Sequence, residues 1–345
     1  MKRNWWKLPV IILVLAAVAA GGFFAGRYET ASRWQAEREL NILLNRSELE
    51  GLGEIDGPIC VTGHKNPDSD TVGSSIGFAA LLQQLGYDAQ AVVLGDINNE
   101  TKFVLESAGL EPPASLEDAS GCNMVLVDHS EYTQSAEGLI DAKIISIIDH
   151  PGDGTVTTGN QLIYDSRPLG STATIVWIRY RNYGLEPDRQ SALAMLGAIL
   201  SDTKNLQSIT TTSADREAVA ALGELTGIND INSFYQSMYK ASLSYDGMTD
   251  EQIFLSDYKE YENGGTKYAI GVVNVYDEAD AKALAERMKA VMNTAYPDMD
   301  MVFTQITALH DDVDFLPISF LPAMPLRRCL RPPSATRPYL TEHLI

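Results

Sequence analysis

Cysteine, histidine and positive charge are all in short supply in this chain. The three cysteines, Cys60, Cys122 and Cys329, are too few and too scattered for a disulfide framework or a thiolate zinc site. Cys60 and Cys122 stand at the starts of apolar runs, a position that reads as buried free thiol. Lys and Arg number 26 against 46 Asp and Glu, for a formal charge of −20. Nucleic acid is held by basic surfaces, so this balance argues against it as a partner. An anionic substrate would need metal ions to neutralise it locally. No cysteine follows the apolar run near the N-terminus, which removes lipoprotein attachment.

That apolar run extends from Leu8 to Gly26, with Lys2, Arg3 and Lys7 before it and Trp5 and Trp6 at the junction. A run of about 19 residues just crosses a hydrocarbon core of about 30 Å. The sequence therefore predicts an N-terminal transmembrane helix within residues 1–27. A cleaved signal peptide ending near Ala17-Val18-Ala19 is the alternative. The basic flank predicts a cytoplasmic N-terminus and an extracytoplasmic, membrane-anchored domain, against a cytoplasmic-face or secreted form. Residues 28–56 are charged and helix-favouring and read as a helical stalk.

The remaining length suffices for two cores. Short apolar runs end in polar clusters: Pro58–Thr62 before Gly63-His64-Lys65-Asn66-Pro67-Asp68-Ser69-Asp70, Met124–Val127 before Asp128-His129, and Ile144–Ile148 before Asp149-His150. Each reads as a buried strand of a parallel sheet. A helix at about Thr71–Leu85 and a strand at Ala91–Leu94 give βαβ order. A longer, helical run, Ala192–Leu200, ends in Ser201-Asp202-Thr203. In open α/β sheets ligands sit beyond the carboxyl ends of the strands, where these clusters fall. One Asp at a strand end is usually a cap or turn former. Three His/Asp clusters on successive strands, in a chain with five histidines, point instead to metal, of the Mn, Co or Fe type rather than calcium. Pro67 disfavours a helical Asn66, so Asp68 and Asp70 are expected on one face of an extended segment, one for each of two metals.

These residues resemble the family II, manganese-dependent inorganic pyrophosphatases of the DHH superfamily. The first motif is His64-Lys65-Asn66-Pro67-Asp68-Ser69-Asp70; Leu94–Phe103 resembles the family's next helix start. Val127-Asp128-His129-Ser130-Glu131, Ile148-Asp149-His150, Leu169–Thr174 and Leu200-Ser201-Asp202-Thr203 follow in family order. Asp257-Tyr258-Lys259-Glu260-Tyr261 with Gly264-Gly265 resembles the DHH-associated C-terminal domain. The resemblance covers residues 58–316. It implies a doubly wound α/β domain at 57–229, a linker at 230–241, and a smaller α+β domain at 242–314 with strands Lys267–Val275 and Met299–Leu309 around helix Glu278–Met292. An atypical basic, proline-rich tail, 315–345, follows.

The resemblance further implies two Mn²⁺ ions (Co²⁺ as an alternative) and Mg²⁺ arriving with pyrophosphate. His64 and Asp68 would hold one ion, Asp70, His150 and Asp202 the other, and Asp128 both. Two such metals stabilise attacking and leaving oxygens together. Lys259 and His129 would serve as substrate-side residues, with His129 orienting a ligand, and the site would lie in a closing cleft between domains. A homodimer is compatible with the family. Alone, Lys259 would read as a solvated lysine on a helix. Two departures stand out: Pro151 replaces a family histidine, and no Ser-Arg-Lys triplet follows Asp314. Three readings stay open: a pyrophosphatase, an exopolyphosphatase or nucleotide phosphodiesterase on the same site, and a catalytically weak, membrane-tethered metal or phosphate binder.

Overall fold

In a computed structural model the described residues are 27, 31–150, 154–292, 299–310, 313–315 and 318–320. Short runs of Ile, Val and Leu become six parallel strands: β1 (Ile59–Thr62), β2 (Ala89–Val93), β3 (Ala114–Ser115), β4 (Asn123–Val127), β5 (Lys143–Asp149) and β6 (Ile163–Ser166). Their order is β3-β2-β1-β4-β5-β6, every pair parallel. Val61, Val125, Leu126 and Ile148 are completely buried. Such continuous burial is what a strand covered on both faces requires. The strand order reverses between β1 and β4. Their carboxyl ends, with that of β5, carry the polar clusters.

Among the described residues the helices of this first unit are α1 (31–50), α2 (Ser69–Gln84), the second half of α3 (Asn99–Ala108), α4 (Thr172–Tyr183), α5 (Arg189–Asp202) and α6 (Ser213–Thr226). Chain packing divides the molecule into residues up to 97 with 104–229, and 98–103 with those from 230 onward. In the second unit, α7 (Ile231–Ser242) and α8 (Asp250–Leu255) precede β7 (Tyr258–Asn263), β8 (Thr266–Val275), α9 (Glu278–Met292) and β9 (Met301–Ala308). β10 (Val313–Phe315) and β11 (Ile318–Phe320) both pair with β9. β7 and β8 form a hairpin whose turn, Gly264-Gly265, has φ of 59° and 82°. Two successive positive φ values are what a type I′ turn needs, and glycine supplies them without strain. Phe254, Val273, Met288, Met292, Val302 and Ile306 form this unit's core.

Three expectations change. Among the described residues no helix is long and apolar enough to cross a membrane. The described residues form an α/β parallel-sheet domain and a smaller C-terminal domain, with no membrane-crossing helix among them; residues 8–26, where that helix was expected, lie outside the described ones. The adjoining helix α1 carries Arg33, Glu37, Arg38, Glu39, Arg46, Glu48 and Glu50, a composition suited to water. Residues 230–241 are no irregular linker but almost all of α7, whose N-cap Asp230 accepts from Ser233 N at 2.9 Å. Finally, Cys60 is a buried thiol, whereas Cys122 is partly exposed.

Candidate metal centre

The chain leaves β1 through Gly63, where any Cβ would stand 2.3 Å from the Thr71 side chain. Glycine is needed because Thr71 Oγ1 occupies that space to donate to Asp128 Oδ2 at 2.8 Å. Asp68 caps α2, accepting from Thr71 N at 2.9 Å. Asp70 lies in the first turn of that helix, so the stretch is not extended through Asp70 as its spacing suggested. The cap turns the chain, and the two carboxylates diverge.

Asp128 follows β4 with φ of 59°, a left-handed conformation uncommon for a non-glycine residue. Thr71 and Thr172 hold its two oxygens, Thr172 Oγ1 at 3.2 Å. Asp128 Oδ2 lies 3.4 Å from His64 Nε2, and its Oδ1 lies 3.5 Å from His150 Nε2. His64 Nε2 is also 3.6 Å from Asp68. His150 Nε2 is 3.3 Å from Asp202 and 3.9 Å from Asp70. The ligand atoms form two sets, each within 4.8 Å: Asp70, Asp128, His150 and Asp202, and His64, Asp68 and Asp128. One carboxylate belongs to both.

Both imidazoles are oriented from behind. His64 Nδ1 donates to Lys65 O at 2.8 Å and His150 Nδ1 to Leu169 O at 3.1 Å, leaving each Nε2 facing carboxylates. That is the arrangement metal-binding histidines adopt. Asp70 is fully buried at the start of α4, accepting from Ser171 Oγ (2.7 Å), Thr172 N (2.7 Å), Ala173 N (3.0 Å) and Ser74 Oγ (3.1 Å). Asp202 is the last residue of α5. Beyond it Lys204, Asn205 and Leu206 all have positive φ, a left-handed turn secured by Asn205 N donating to Leu200 O at 2.8 Å. Three such residues cost roughly 1–2 kcal/mol each, so this turn is imposed by its surroundings.

Electrostatics test whether cations fit. Burial would lower the His64 ring, but Asp128 and Asp68 outweigh it and raise its pKa to about 11. Burial likewise opposes His150, yet Asp128 and Asp202 raise it to about 11. Burial would raise Asp128, but His150 and His64 hold it far below the usual carboxylate range. Burial, then Asp128 and Asp202, push Asp70 well up, and burial also raises Asp202. Without cations, then, the cluster holds together by keeping protons. A set of four carboxylates and two imidazoles with no thiolate suits divalent ions such as Mn²⁺, which would replace those protons.

His129 is not brought to either set. Its ring is buried, Nδ1 donates to Val127 O at 3.0 Å, and Nε2 lies 2.9 Å from the Ser135 hydroxyl. Burial lowers its pKa, so the neutral ring has both nitrogens engaged and none for substrate. Lys259 lies in the second unit, on β7 rather than a helix, exposed and 3.2 Å from Asp257. Pro151 and residues 321–345 lie outside the described ones.

Asp215 was not singled out by the sequence, being one acid among 46 Asp and Glu residues. It is completely buried and accepts from Gly170 N (3.1 and 3.0 Å), Thr174 Oγ1 (2.7 Å), Thr212 N (2.6 Å) and Thr212 Oγ1 (2.7 Å). Only the Thr212-x-x-Asp215 capping spacing hinted at it. It fixes the turn that presents Leu169 O to His150. Asp215→Ala should destabilise the protein by about 3 kcal/mol or more, several buried donors being orphaned at about 1–3 kcal/mol each. A urea midpoint unchanged from wild type would contradict this.

Carboxylates and imidazoles gathered at the switch point of a parallel sheet, in a chain that also carries a smaller mixed-sheet domain, define a DHH-type metalloprotein. The model described as DHH family, N-terminal domain, matches residues 58–199, and that of the DHHA2 domain matches 236–320. The manganese-dependent inorganic pyrophosphatase of Methanothrix thermoacetophila is 36% identical over 252 residues, covering 72% of this chain and 81% of its own. A Methanococcus jannaschii crystal structure, assigned to the family II inorganic pyrophosphatases, aligns with a TM-score of 0.55 at 34% identity, over 75% of this chain and 87% of its own. The chain belongs to the family II, manganese-dependent inorganic pyrophosphatases.

Proposed function

We propose that this chain hydrolyses inorganic pyrophosphate to two phosphates with a pair of Mn²⁺ ions. The observation that carries the reading is Asp128, which turns one oxygen to His64 and the other to His150. His64 and Asp68 would hold one ion, Asp70, His150 and Asp202 the other, and Asp128 both. Bound there, two such ions would supply charge neutralisation for the attacking and leaving oxygens and Lewis-acid activation of a water.

The chain's own residues do the rest. Thr71 and Thr172 fix the Asp128 carboxylate, and the Lys65 and Leu169 carbonyls fix the two rings. The collar of hydroxyls and amides around Asp70 favours its ionised form as soon as a cation arrives. The family resemblance would make Lys259 a phosphate contact, and its exposed ammonium, 3.2 Å from Asp257, is the cation available for that role. In a chain of charge −20, such local cations are what an anionic substrate requires.

Phosphate release from pyrophosphate, tripolyphosphate and a cyclic dinucleotide, with Mn²⁺ and after chelation, tests the assignment. Turnover should be greatest on pyrophosphate and vanish with chelator. Lys259→Ala should raise KM more than it lowers kcat. Preference for tripolyphosphate or the dinucleotide would replace the substrate assignment; activity that survives chelation would remove the metal one.

A further inference from the structure

Helix α1 precedes the residues matched by either family model, yet it is joined to the first domain by polar contacts that lead to the metal centre. Arg46 of α1 donates from Nε and Nη2 to Tyr183 O on α4 at 3.1 and 2.8 Å. Glu48, two residues on, accepts through Oε1 from the Arg179 guanidinium and the Tyr183 hydroxyl. Arg179 is only 7% exposed and sits between two carboxylates, its Nε donating to Asp165 Oδ2 at 2.7 Å. Asp165 is equally buried and also receives a two-point fork from Arg167, at 2.6 and 2.9 Å. Arg167 N in turn donates to Asp149 O at 3.1 Å, extending the β5–β6 ladder. Its carbonyl accepts from Leu169 N at 2.8 Å, closing a tight turn around Pro168, and Leu169 O orients His150. Every link lies within one compact unit.

We propose that α1 is a strut for the metal centre, with Glu48 as a positioning residue that sets affinity for the ion at His150. Asp165 Oδ2 is shared by the two arginines. Glu48 supplies the second carboxylate that Arg179 needs, and so leaves the Asp165–Arg167 fork undistorted. Without it, the buried Arg179 and the half-buried Arg167 compete for one carboxylate. Arg179 then draws Asp165 from Arg167, the Pro168 turn loosens, and the His150 ring loses its fixed orientation. Outer partners of metal-bound histidines typically control affinity by about 10–100-fold. The inference rests on His150 being a metal ligand.

Mn²⁺ titration of the full chain by calorimetry, with ¹⁵N resonances of the histidine rings, tests it. Glu48→Gln should weaken one class of Mn²⁺ site about tenfold, leave the other unchanged, and shift the His150 Nδ1 resonance. Arg46→Ala, which loosens the same helix without touching the arginine–carboxylate chain, should leave both classes as in wild type. If Glu48→Gln changes neither isotherm nor resonance while His150→Ala loses one class, the strut is overturned and the ligand stands. If His150→Ala binds Mn²⁺ like wild type, the ligand assignment falls and the strut with it. Equal weakening by Arg46→Ala and Glu48→Gln would overturn the route through Arg179 in favour of general loosening.

Discussion

Replacing Asp128 by alanine removes one of the two Mn²⁺ ions and lowers turnover by more than the roughly 10–100-fold that an outer partner controls. Asp128 is the only residue common to both ligand sets among the described residues. The loss is compounded by what it leaves behind. The His64 and His150 rings lose the carboxylate that each faces at about the same distance, 3.4 and 3.5 Å. Thr71 and Thr172 lose their buried acceptor. Asp128→Asn is the informative companion: it keeps the shape and the left-handed backbone but removes the charge that attracts cations. Metal analysis of dialysed protein should give two ions per wild-type chain and one or none in either variant. Two ions retained in Asp128→Ala would end the bridging assignment.

Apparent Mn²⁺ affinity should climb steeply with pH, because the ions compete with protons for the same nitrogens. His64 and His150 each hold a proton up to about pH 11 in the metal-free protein. Each ring must release that proton to bind, so filling both sites liberates at least two. The overall constant for the pair should therefore rise by about a hundredfold per pH unit through neutrality. Calorimetry in buffers of different ionisation enthalpy counts the protons directly; none released would refute the account. Stability follows the same linkage. Folded pKa values above the unfolded 6.5 stabilise the metal-free protein fully below pH 6.5, and that contribution is lost as pH rises towards 11. Mn²⁺ at a thousandfold excess over Kd restores about 4 kcal/mol for each site. The melting temperature of metal-free protein should thus fall across this range, while that of the Mn²⁺ form holds.

The central parallel strands were legible because β1, β4 and β5 are largely apolar runs leading into clusters of His and Asp, a pattern local to a few residues. Helix α9 was legible from its period of alanine, leucine and methionine. The short strand β6 was not: Ile163-Tyr164-Asp165-Ser166 is half polar, and its place depends on pairing with β5. Motifs marked the candidate ligand residues, whereas most of the residues that hold them stood outside what motifs explain. Thr71, Thr172, Asp215 and the Leu169 carbonyl act through contacts between segments far apart in the chain, and local pattern alone does not reveal those contacts. His129 shows the reverse error. Its place beside Asp128 suggested chemistry, yet consecutive residues leaving a strand point in opposite directions, and its ring turns into the protein. α7 was missed because its aromatic residues mask a helix that Asp230 announces.

The strand order also sets when the protein can first hold its metals during synthesis. The candidate ligands run from His64 to Asp202, and the central strand β1 cannot be flanked on both sides until β4 has been made. Parallel pairing of this kind depends on contacts distant in the chain and is slow to form. Until Asp202 leaves the ribosome, the nascent chain has only an incomplete set of ligands for the His150 ion. Capture of that ion would thus wait until all of the first domain but its last segment, which includes α6, has been made.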